Sequence, residues 1–567
     1  MYYAALATDY DGTIAHDGVV DAATIAALER LRAGGRRLVL VTGRELGDLQ
    51  LVMPRLELFD RVVAENGALL YCPETRQERT LAPPPPPEFA ARLRAMGVNP
   101  LSVGRVIVAS WEPNEGRVLE AIHALGLDLQ ITFNKGAVMV LPGGVTKESG
   151  LEAALEELGL SPRNCVAVGD AENDLAFLTM CGMPVAVANA LPSVKAAARL
   201  VTEGARGAGV AELVGRMLAT DLAGLDMDNP RQAVALAAGL PGEGEGVSFV
   251  PGRECLLLTG VSGGGKTTLV AGLLERLGAA GFQACVIDPE GDYEDLAGAV
   301  AAGTAQEAPR VEAAVALLEK AGMSVVVNLL GVALGDRPRF FGELLAALLA
   351  LRARTGRPHA VVVDEAHHVL PAGWDGAALP ETLPGFVFVT VRPEALCREV
   401  LLRVDRMMAV GSETRAALGA FCRARGMAAP DGPESLPTGE LLTLSVTEPG
   451  VRRLAAIPGG ELLRRHQRKY AEGRLGEDKS FYFRGPAGRL SLRATNLMMF
   501  VEMAEGVDDE TWEWHRRRGD YSRWIGEAIK DRELSGEVAG IEADALPAGE
   551  ARARVRAEIE RRYTLPA

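Results

Sequence analysis

The sequence is poor in aromatic side chains, in paired cysteines and in long apolar runs. Phe, Trp and Tyr make up only 5% of its 567 residues. No window approaches the roughly 18 apolar residues that a membrane span needs, and Asp9 interrupts the first apolar run, so we predict neither a signal peptide nor a membrane partner. No CxxC pair occurs, which favours reduced, buried thiols in a cytoplasmic protein. The cysteines are Cys72, Cys165, Cys181, Cys255, Cys285, Cys397 and Cys422.

Basic residues are also too few for a general nucleic-acid-binding protein. The chain has 60 Lys and Arg against 75 Asp and Glu, a formal charge of −15. Binding to a phosphate backbone requires a basic face, so nucleic acid is a disfavoured partner, although a local basic groove is not excluded. The length predicts three to four domains.

The first apolar run, residues 3–8, ends in two carboxylates, Asp9 and Asp11, followed by Gly12. Side chains two residues apart lie on the same side of a strand, and glycine permits a sharp turn. One carboxylate can then attack a phosphorus atom while the other transfers protons. Taken alone, the pattern is equally typical of an Asp/Gly turn that closes a strand.

Three further apolar runs also end in polar residues: 37–41, 62–64 and 165–169. Strands that alternate with helices predict an α/β fold, a doubly wound parallel sheet with its site at the carboxyl ends of the strands. Several carboxylates beside one lysine, Lys147, would repel one another unless a divalent cation lay among them, and oxygen ligands favour Mg²⁺. The residues predicted to converge are Asp9, Asp11, Thr42, Lys147, Asp170 and Asp174.

The order D-x-D-G-T, T-G-R, Lys and G-D-x-x-N-D resembles the haloacid dehalogenase (HAD) phosphatases over residues 1–215. The Glu-Asn-Gly-Ala element at 65–68 and the late lysine resemble its subfamily IIB, the Cof-type and sugar-phosphatase-like members. The resemblance implies Asp9 as nucleophile, Asp11 as general acid/base, and Thr42 and Lys147 as phosphate-holding groups. It implies metal ligands among Asp9, Asp11, Asp170 and Asp174, and a pocket lined or supported by Gly43, Arg44, Asn66, Asn173 and Asn189.

The same resemblance predicts a phosphatase core from residues 1–68 and 144–220, with an inserted α/β cap at 69–143. Strand-like runs at 105–109 and 137–141 and a helix at 117–125 fill the cap. A cap this small favours a small phosphorylated metabolite as the substrate.

A second set of motifs predicts an ATP-binding α/β domain at residues 230–455. The run 255–259 leads into a full G-x4-G-K-T motif and an apolar helix. In such a loop the backbone amides hold the phosphates, the lysine meets the β and γ oxygens, and the threonine binds Mg²⁺. The predicted nucleotide-binding residues are Gly260, Gly263, Gly264, Gly265, Lys266, Thr267 and Thr268, with Thr267 also a metal ligand.

About 100 residues later the run 359–363 ends in Asp364 and Glu365. Asp364 fits the Mg²⁺-linked acid and Glu365 the base that polarises water, which favours ATP hydrolysis over small-molecule kinase chemistry. Thr390 is a candidate γ-phosphate sensor. Arg392 or Arg398 could act as an arginine finger, although a structural role is favoured for either. His367 and His368 have no partners at ligand spacing, so we interpret them as packing or coupling residues.

The Asp-Pro-Glu-Gly-Asp-Tyr element at 288–293, the D-E-A-H-H box and the T-x-R-P sequence resemble the HerA–FtsK superfamily of ATPases. That resemblance implies a possible homo-oligomer formed through this domain. Its relatives are often DNA translocases, but the acidic chain lacks a clear DNA-binding module. An ABC-type ATPase is disfavoured because no LSGGQ-like signature occurs between the Walker motifs.

Residues 460–567 differ in composition and are predicted to be mainly helical. The basic stretch 464–470 and the tryptophans Trp512, Trp514 and Trp524 could bind nucleic acid or a phosphorylated ligand. The favoured alternative is a helical appendage whose arginines pair with the acidic body.

The sequence therefore predicts a Mg²⁺-dependent phosphomonoesterase that acts on a small phosphorylated metabolite through an aspartyl-phosphate, fused to an ATP-hydrolysing domain that regulates or assembles it. Three alternatives remain. They are a nucleic-acid end-processing phosphatase/kinase, against which Glu365 argues; a DNA-acting HerA-like ATPase with an accessory phosphatase; and a non-enzymatic regulator, which the intact carboxylate set disfavours.

Overall fold

The computed structural model describes residues 1–134, 136–241, 244–261, 264–374, 379–448, 450–459, 480–486, 488, 490–529 and 531–563. Within these ranges, no helix combines the length and apolar character needed to cross a membrane.

The first domain is built on an eight-stranded sheet. Its strands are β1 (Ala5–Asp9), β2 (Arg37–Val41), β3 (Arg61–Ala64), β4 (Leu69–Cys72), β5 (Gln77–Thr80), β10 (Cys165–Gly169), β11 (Met183–Ala186) and β12 (Leu200–Val201). The strand order is β12-β11-β10-β1-β2-β3-β4-β5, and the strands from β12 to β3 pair in parallel. This confirms the doubly wound parallel sheet predicted from the alternating pattern.

Helices cover both faces of this sheet. They are α1 (Ala22–Ala33), α2 (Leu46–Val52), α5 (Lys147–Glu157), α6 (Leu175–Met180), α7 (Pro192–Ala197), α8 (Arg206–Thr220) and α9 (Ala223–Asp226). Thr146 caps α5, because its hydroxyl accepts a hydrogen bond from Ser149 N at 3.2 Å while Ser149 Oγ accepts one from Thr146 N. This capping box fixes the position of Lys147 at the start of α5.

A smaller layer is inserted between β5 and α5. It consists of α3 (Pro87–Ala95), β6 (Leu101–Val103), β7 (Val108–Trp111), α4 (Glu115–Leu125), β8 (Leu129–Asn134) and β9 (Ala137–Pro142), with the antiparallel order β6-β7-β9-β8. The predicted cap includes residues 69–80, but these residues form the antiparallel strands β4 and β5 at the edge of the core sheet. The inserted layer therefore begins after Thr80.

The second α/β domain contains an eleven-stranded sheet. Its strands are β13 (Val234–Gly239), β14 (Val247–Phe249), β15 (Leu256–Thr259), β16 (Ala284–Asp288), β17 (Ala299–Ala302), β18 (Ser324–Asn328), β19 (Ala360–Val363), β20 (Phe386–Thr390), β21 (Arg406–Val410), β22 (Glu440–Ser445) and β23 (Val451–Ala456). Their order is β14-β13-β23-β22-β21-β15-β20-β19-β16-β18-β17. The run from β21 to β17 is parallel, and β22, β23, β13 and β14 extend it with antiparallel pairs.

Among the described residues of this domain, five helices pack on the second sheet: α10 (Lys266–Ala279), α11 (Val311–Leu318), α12 (Arg337–Thr355), α13 (Arg398–Leu401) and α14 (Thr414–Arg425). Leu269 and Leu273 of α10 pack with Val362 on one face, while Phe341 of α12 and Phe421 of α14 belong to the core of the other face. Strand β20 lies between the phosphate-loop strand β15 and β19, so three neighbouring strands deliver the predicted ATPase residues to one edge.

The C-terminal region forms a separate, mainly helical core. Its elements are β24 (Phe481–Phe483), β25 (Leu492–Ala494), α15 (Leu497–Gly506), α16 (Asp509–Arg516), α17 (Asp520–Trp524), α18 (Arg532–Ala543) and α19 (Ala548–Tyr563). Trp512 and Trp524 are buried in its core with Phe500. Arg561 pairs with Glu537 of the same region at 3.1 Å, so this arginine does not pair with the acidic body. The predicted basic stretch 464–470 lies outside the described residues.

The two α/β domains are joined where a strand of each begins. Asn164, just before β10, and His359, just before β19, are both fully buried, and Asn164 Oδ1 lies 2.9 Å from His359 Nε2. Gln283 N donates to His359 Nδ1 at 2.8 Å, which leaves Nε2 as the protonated nitrogen of a neutral ring. Burial, together with nearby Arg357 and Arg352, lowers the pKa of His359 well below its ordinary value.

Each candidate active site lies at the far end of its strand from this contact. Asp170 comes six positions after Asn164, and Asp364 comes five positions after His359. At about 3.3 Å a residue, each site is roughly 17–20 Å from the joined strand ends. The two sites therefore point away from the interface between the domains.

Candidate active site

The candidate catalytic centre of the first domain is built around a buried ion-pair cluster. Asp9 ends β1 and is 4% exposed. Lys147 Nζ donates to Asp9 Oδ1 and to Asp174 Oδ1, each at 2.6 Å. Thr13 Oγ1 donates to the second oxygen, Asp9 Oδ2, at 3.2 Å. The sequence prediction that Asp9, Lys147 and Asp174 meet at the strand ends agrees with this geometry.

Close packing explains why glycine occupies position 67. Gly67 has φ +106°, and a Cβ there would lie 1.9 Å from Thr146 O. Only glycine lets the turn after β3 approach the start of α5 this closely. Gly67 therefore helps to hold Lys147 over the end of β1.

The electrostatics of the cluster are dominated by burial. Burial and the neighbouring Asp174 raise the pKa of Asp9 above its ordinary value, although Lys147 opposes them. Burial alone would lower the pKa of Lys147, but the carboxylates of Asp174 and Asp9 outweigh it and raise that pKa. The protonation state of each of these three groups thus depends on the charges of the other two.

The donor set fits a divalent cation. Asp9, Asp170 and Asp174 are buried, and each offers a carboxylate oxygen within 4.8 Å of the others. Three carboxylates against one ammonium leave excess negative charge in a buried site, which a cation with hard oxygen ligands would offset. Asp174 Oδ2 also accepts hydrogen bonds from Asp170 N and Ala171 N at 3.0 Å, which fixes the loop that presents Asp170.

Asp11 lies outside this group of three and is held by Arg44. The guanidinium donates to Asp11 through Nε at 2.6 Å and Nη2 at 2.8 Å. Asp48 accepts a third bond from Arg44, and the ring of Tyr10 lies 5.4 Å below it. The structure therefore brings Arg44 to the general acid/base candidate, and the prediction of Asp11 as a metal ligand stays a prediction.

Some of the remaining predicted pocket residues form hydrogen bonds that support the site, and others have polar atoms without a partner. Thr42 Oγ1 accepts from Arg44 N at 3.1 Å, and Thr42 O accepts from Asn66 N at 3.0 Å. Asn189 supports the catalytic loop, because Nδ2 donates to Gly12 O at 2.8 Å. By contrast, Asn66 Oδ1 and both polar side-chain atoms of Asn173 are buried without a hydrogen-bond partner. Such atoms are costly to leave unpaired, so they are candidates to meet a substrate.

Sequence reasoning gave no role to Glu65, yet this residue joins the core to the inserted layer. Its buried carboxylate accepts hydrogen bonds from Arg105 N at 2.8 Å, Val106 N at 2.7 Å and Ile107 N at 2.9 Å. A carboxylate after a strand end was visible in the sequence, but its partners lie 40 residues away.

In the second domain the phosphate loop has the predicted setting. Lys266 begins α10 and is 6% exposed, and its Nζ donates to Gly260 O at 2.8 Å. A Cβ at Gly260 would lie 2.5 Å from Val410 O, so the close approach of β21 requires glycine. Gly264, Gly265, Thr267 and Thr268 belong to the same loop and first helical turn, and Gly263 lies outside the described residues.

Asp364 and Glu365 follow β19, as predicted. Burial, reinforced by Glu365, raises the pKa of Asp364 well above its ordinary value. His367 Nδ1 lies 3.3 Å from Thr390 Oγ1 in a hydrogen bond and 3.4 Å from Glu365 Oε2, an oxygen that is buried without a hydrogen-bond partner, so the ring lies between the candidate base and the candidate sensor. This contact is consistent with the predicted coupling role.

The two candidate finger arginines differ in their surroundings. Arg398 donates to Ala424 O at 2.9 Å and thereby ties two helices together. Arg392 is 61% exposed and lies 3.7 Å from Glu413, close to the phosphate loop. The contact of Arg398 favours the structural role predicted for it, and Arg392 is the better candidate for an arginine finger.

Comparison with known proteins agrees with the two-domain interpretation. The family described as haloacid dehalogenase-like hydrolase matches residues 6–90 and 119–214, and an AAA domain matches residues 251–388. This confirms a P-loop domain, whereas its assignment to the HerA–FtsK superfamily stays a prediction.

Two relatives are phosphoglycolate phosphatases from archaeal species. That of Methanothermobacter thermautotrophicus is 31% identical over 222 residues, covering 38% of this chain and 98% of the relative. That of Natronomonas pharaonis is 30% identical, covering 38% and 97%. A solved haloacid dehalogenase-like hydrolase from Bacteroides thetaiotaomicron is 21% identical with a TM-score of 0.34, covering 38% of this chain and 99% of that one. Through its first domain, the chain belongs to the haloacid dehalogenase-like hydrolases.

Proposed function

We propose that the first domain is a Mg²⁺-dependent phosphomonoesterase for a small phosphorylated metabolite, and that the second domain binds and hydrolyses ATP. The observation that carries the first half is the buried cluster in which Lys147 bridges Asp9 and Asp174 beside Asp170. The phosphoglycolate phosphatases among the relatives and the small inserted layer support a small phosphomonoester as the substrate class.

In the proposed reaction an oxygen of Asp9 forms a bond to phosphorus as the ester P–O bond breaks. Asp11 gives its proton to the leaving oxygen and later accepts one from the water that hydrolyses the aspartyl-phosphate. Because Arg44 holds Asp11 by two hydrogen bonds, Asp11 must leave this guanidinium before it serves as an acid.

The phosphoryl group is to be held by Lys147 and Thr42, with Asn66 and Asn173 as further partners. Asp9, Asp170 and Asp174 would hold Mg²⁺, which when bound supplies positive charge against the phosphate oxygens. Lys147 and Thr13 keep Asp9 oriented through hydrogen bonds to Oδ1 and Oδ2, and a remaining lone pair of Oδ2 is to attack the phosphorus atom.

ATP is to act on the phosphatase through the shared interface, not by transfer of a substrate between sites. The Asn164–His359 hydrogen bond links the starts of β10 and β19, the strands that end at Asp170 and Asp364. Self-association through the P-loop domain is the second route by which ATP could act. A cytoplasmic location is part of the proposal, supported by seven free thiols.

The experiment is phosphate release from a panel of phosphorylated metabolites and 3′-phosphorylated oligonucleotides, with and without Mg²⁺. We expect Mg²⁺-dependent release from a small metabolite that disappears in Asp9→Asn. The matched control is Asp17→Asn at a carboxylate that is 91% exposed, and it should retain activity. Release from oligonucleotides alone, or full activity in Asp9→Asn, would contradict the proposal.

ATP coupling is tested in the same assay. We expect a non-hydrolysable ATP analogue to change either turnover or the oligomeric state measured by light scattering, and Lys266→Ala to abolish the change. If the analogue changes neither turnover nor the oligomeric state, the proposed coupling is wrong while the phosphatase assignment stands.

A further inference from the structure

The sheet of the inserted layer presents one face to the catalytic core. Strand pairing places Ser102, Ala109, Met139 and Thr132 in one row across this sheet. Ser102 Oγ donates to Glu45 of the core, and a Cβ at Gly43 would lie 3.6 Å from Met139 Sδ. The row therefore lies over the residues that follow β2.

The direction of β7 across the core follows from two anchors. Ile107 N donates to Glu65 at the end of β3, and Ala109, two residues later, lies in the row above Gly43 at the end of β2. Two residues of a strand rise about 6.8 Å, somewhat more than the 4.8 Å between neighbouring core strands. The next residue on this face is Trp111, and the next core strand is β1, which ends at Asp9.

The side chain of Trp111 is accessible to solvent at this position. It pairs with Ala137 on the face that includes Met139, and its side chain is 53% exposed. An indole exposed to this degree, beside a row anchored to the core, offers an apolar surface above the catalytic loop.

The rest of this face carries no charge among the described side chains. Thr132, Ala137 and Met139 lie beside Trp111, and the same face includes Ser102, Ala109, Gln130 and Leu141. The described side chains of this face therefore offer apolar and neutral polar contacts to the organic group of a substrate.

We infer that Trp111 is a specificity-determining residue, and that the substrate is a phosphate monoester whose organic group is uncharged and packs its C–H face on the indole. The inference rests on the proposed phosphatase activity and deepens it. It separates this chain from the phosphoglycolate substrate named for its relatives, because that substrate carries a carboxylate.

The test is steady-state hydrolysis of glucose 6-phosphate and glycerol 3-phosphate, with uncharged organic groups, and of phosphoglycolate, by wild type, Trp111→Ala and Trp111→Phe. The matched control is Phe133→Ala, because Phe133 is 52% exposed but pairs with Val138 on the opposite face of the same sheet. Both side chains are exposed, so neither truncation should disturb folding.

We expect Trp111→Ala to lower kcat/KM for the better uncharged substrate about 10- to 60-fold, mainly through KM, from the apolar area that half an indole can bury. Trp111→Phe should remain within about threefold of wild type and Phe133→Ala should match it. As a second readout, titrating Asp9→Asn with that substrate should change tryptophan fluorescence, and the change should disappear in Asp9→Asn/Trp111→Phe.

Equal kcat/KM in Trp111→Ala and wild type, with activity still lost in Asp9→Asn, would overturn the inference and leave the phosphatase assignment intact. Preference for phosphoglycolate over both uncharged esters would also overturn it. Activity that persists in Asp9→Asn would overturn the proposed function and the inference together.

Discussion

Replacing His359 with Phe should weaken the interface between the two α/β domains by an amount that depends on pH. The phenyl ring can keep the edge contacts of the imidazole with Phe282, at 5.2 Å between ring centroids, and with Tyr2, at 6.2 Å. It cannot accept the hydrogen bond from Gln283 N or donate to Asn164 Oδ1. The substitution therefore removes two buried hydrogen bonds while largely preserving shape.

The magnitude at neutral pH follows from the groups left without partners. One buried amide donor and one buried amide oxygen each cost about 1–3 kcal/mol when unsatisfied, so we expect a loss of about 2–6 kcal/mol at pH 7.5.

The pH dependence follows from the lowered pKa of His359. Its ordinary value is 6.5, and the folded value lies well below that. The contribution of His359 to folding stability is complete above pH 6.5 and is lost as the pH falls, because only the unfolded chain takes up the proton. At pH 5.5 this loss is RT ln 11, about 1.4 kcal/mol. The stability difference between wild type and His359→Phe should therefore narrow by about 1.4 kcal/mol from pH 7.5 to pH 5.5.

The assay is urea unfolding at both pH values, with the protection of β10 and β19 read by hydrogen-exchange mass spectrometry after a brief labelling pulse at one fixed pH. In wild type the two strands should lose protection at the same urea concentration. The control is His123→Phe at an exposed position in α4, which should leave the unfolding of these strands unchanged. A stability difference that is equal at the two pH values would refute the reasoning.

Three further substitutions test individual contacts. Glu65→Gln weakens three hydrogen bonds from backbone amides, so residues 105–107 should exchange amide hydrogens at least about tenfold faster than in wild type, while exchange in β1 is unchanged. Exchange at the wild-type rate in residues 105–107 would contradict the role of Glu65 in holding the inserted layer to the core. Lys147→Met removes the ammonium that bridges Asp9 and Asp174 and is proposed to hold the phosphoryl group, so Mg²⁺-dependent phosphate release should fall at least about 100-fold. Activity within tenfold of wild type would contradict this role. Glu365→Gln should lower the rate of ATP hydrolysis about 100-fold or more, while the affinity for nucleotide, measured by calorimetry, should stay within threefold of wild type. Loss of nucleotide binding would instead indicate a structural role.

The residues at the strand ends were the most predictable part of the structure. Asp9, Asp170 and Asp364 each follow a short apolar run, and the carboxyl ends of parallel strands are where such sheets place their sites. The motifs also fixed Lys147 and Lys266 at the starts of helices. The local sequence pattern and the general position of sites in parallel sheets indicate the same residues. These predictions therefore required no information on contacts between distant parts of the chain.

The contacts that the sequence did not reveal join residues far apart in the chain. Asn164 and His359 are separated by 195 residues, and neither has a motif that marks it. Strand β13 pairs with β23 across more than 200 residues, which extends the second sheet beyond its parallel part. The role of Glu65 depended on backbone donors in the inserted layer, and Trp111 acquired significance only from the strand register.

The most direct test of the central claim is to trap the phosphorylated enzyme. Wild type and Asp9→Asn would be mixed with the best substrate and Mg²⁺, quenched in acid within milliseconds and digested for mass spectrometry. The account predicts one phosphoryl group on Asp9 in wild type, formed and lost at rates consistent with turnover, and none in the variant. Turnover by wild type with no phosphoryl group on Asp9, or with one on another residue, would contradict it.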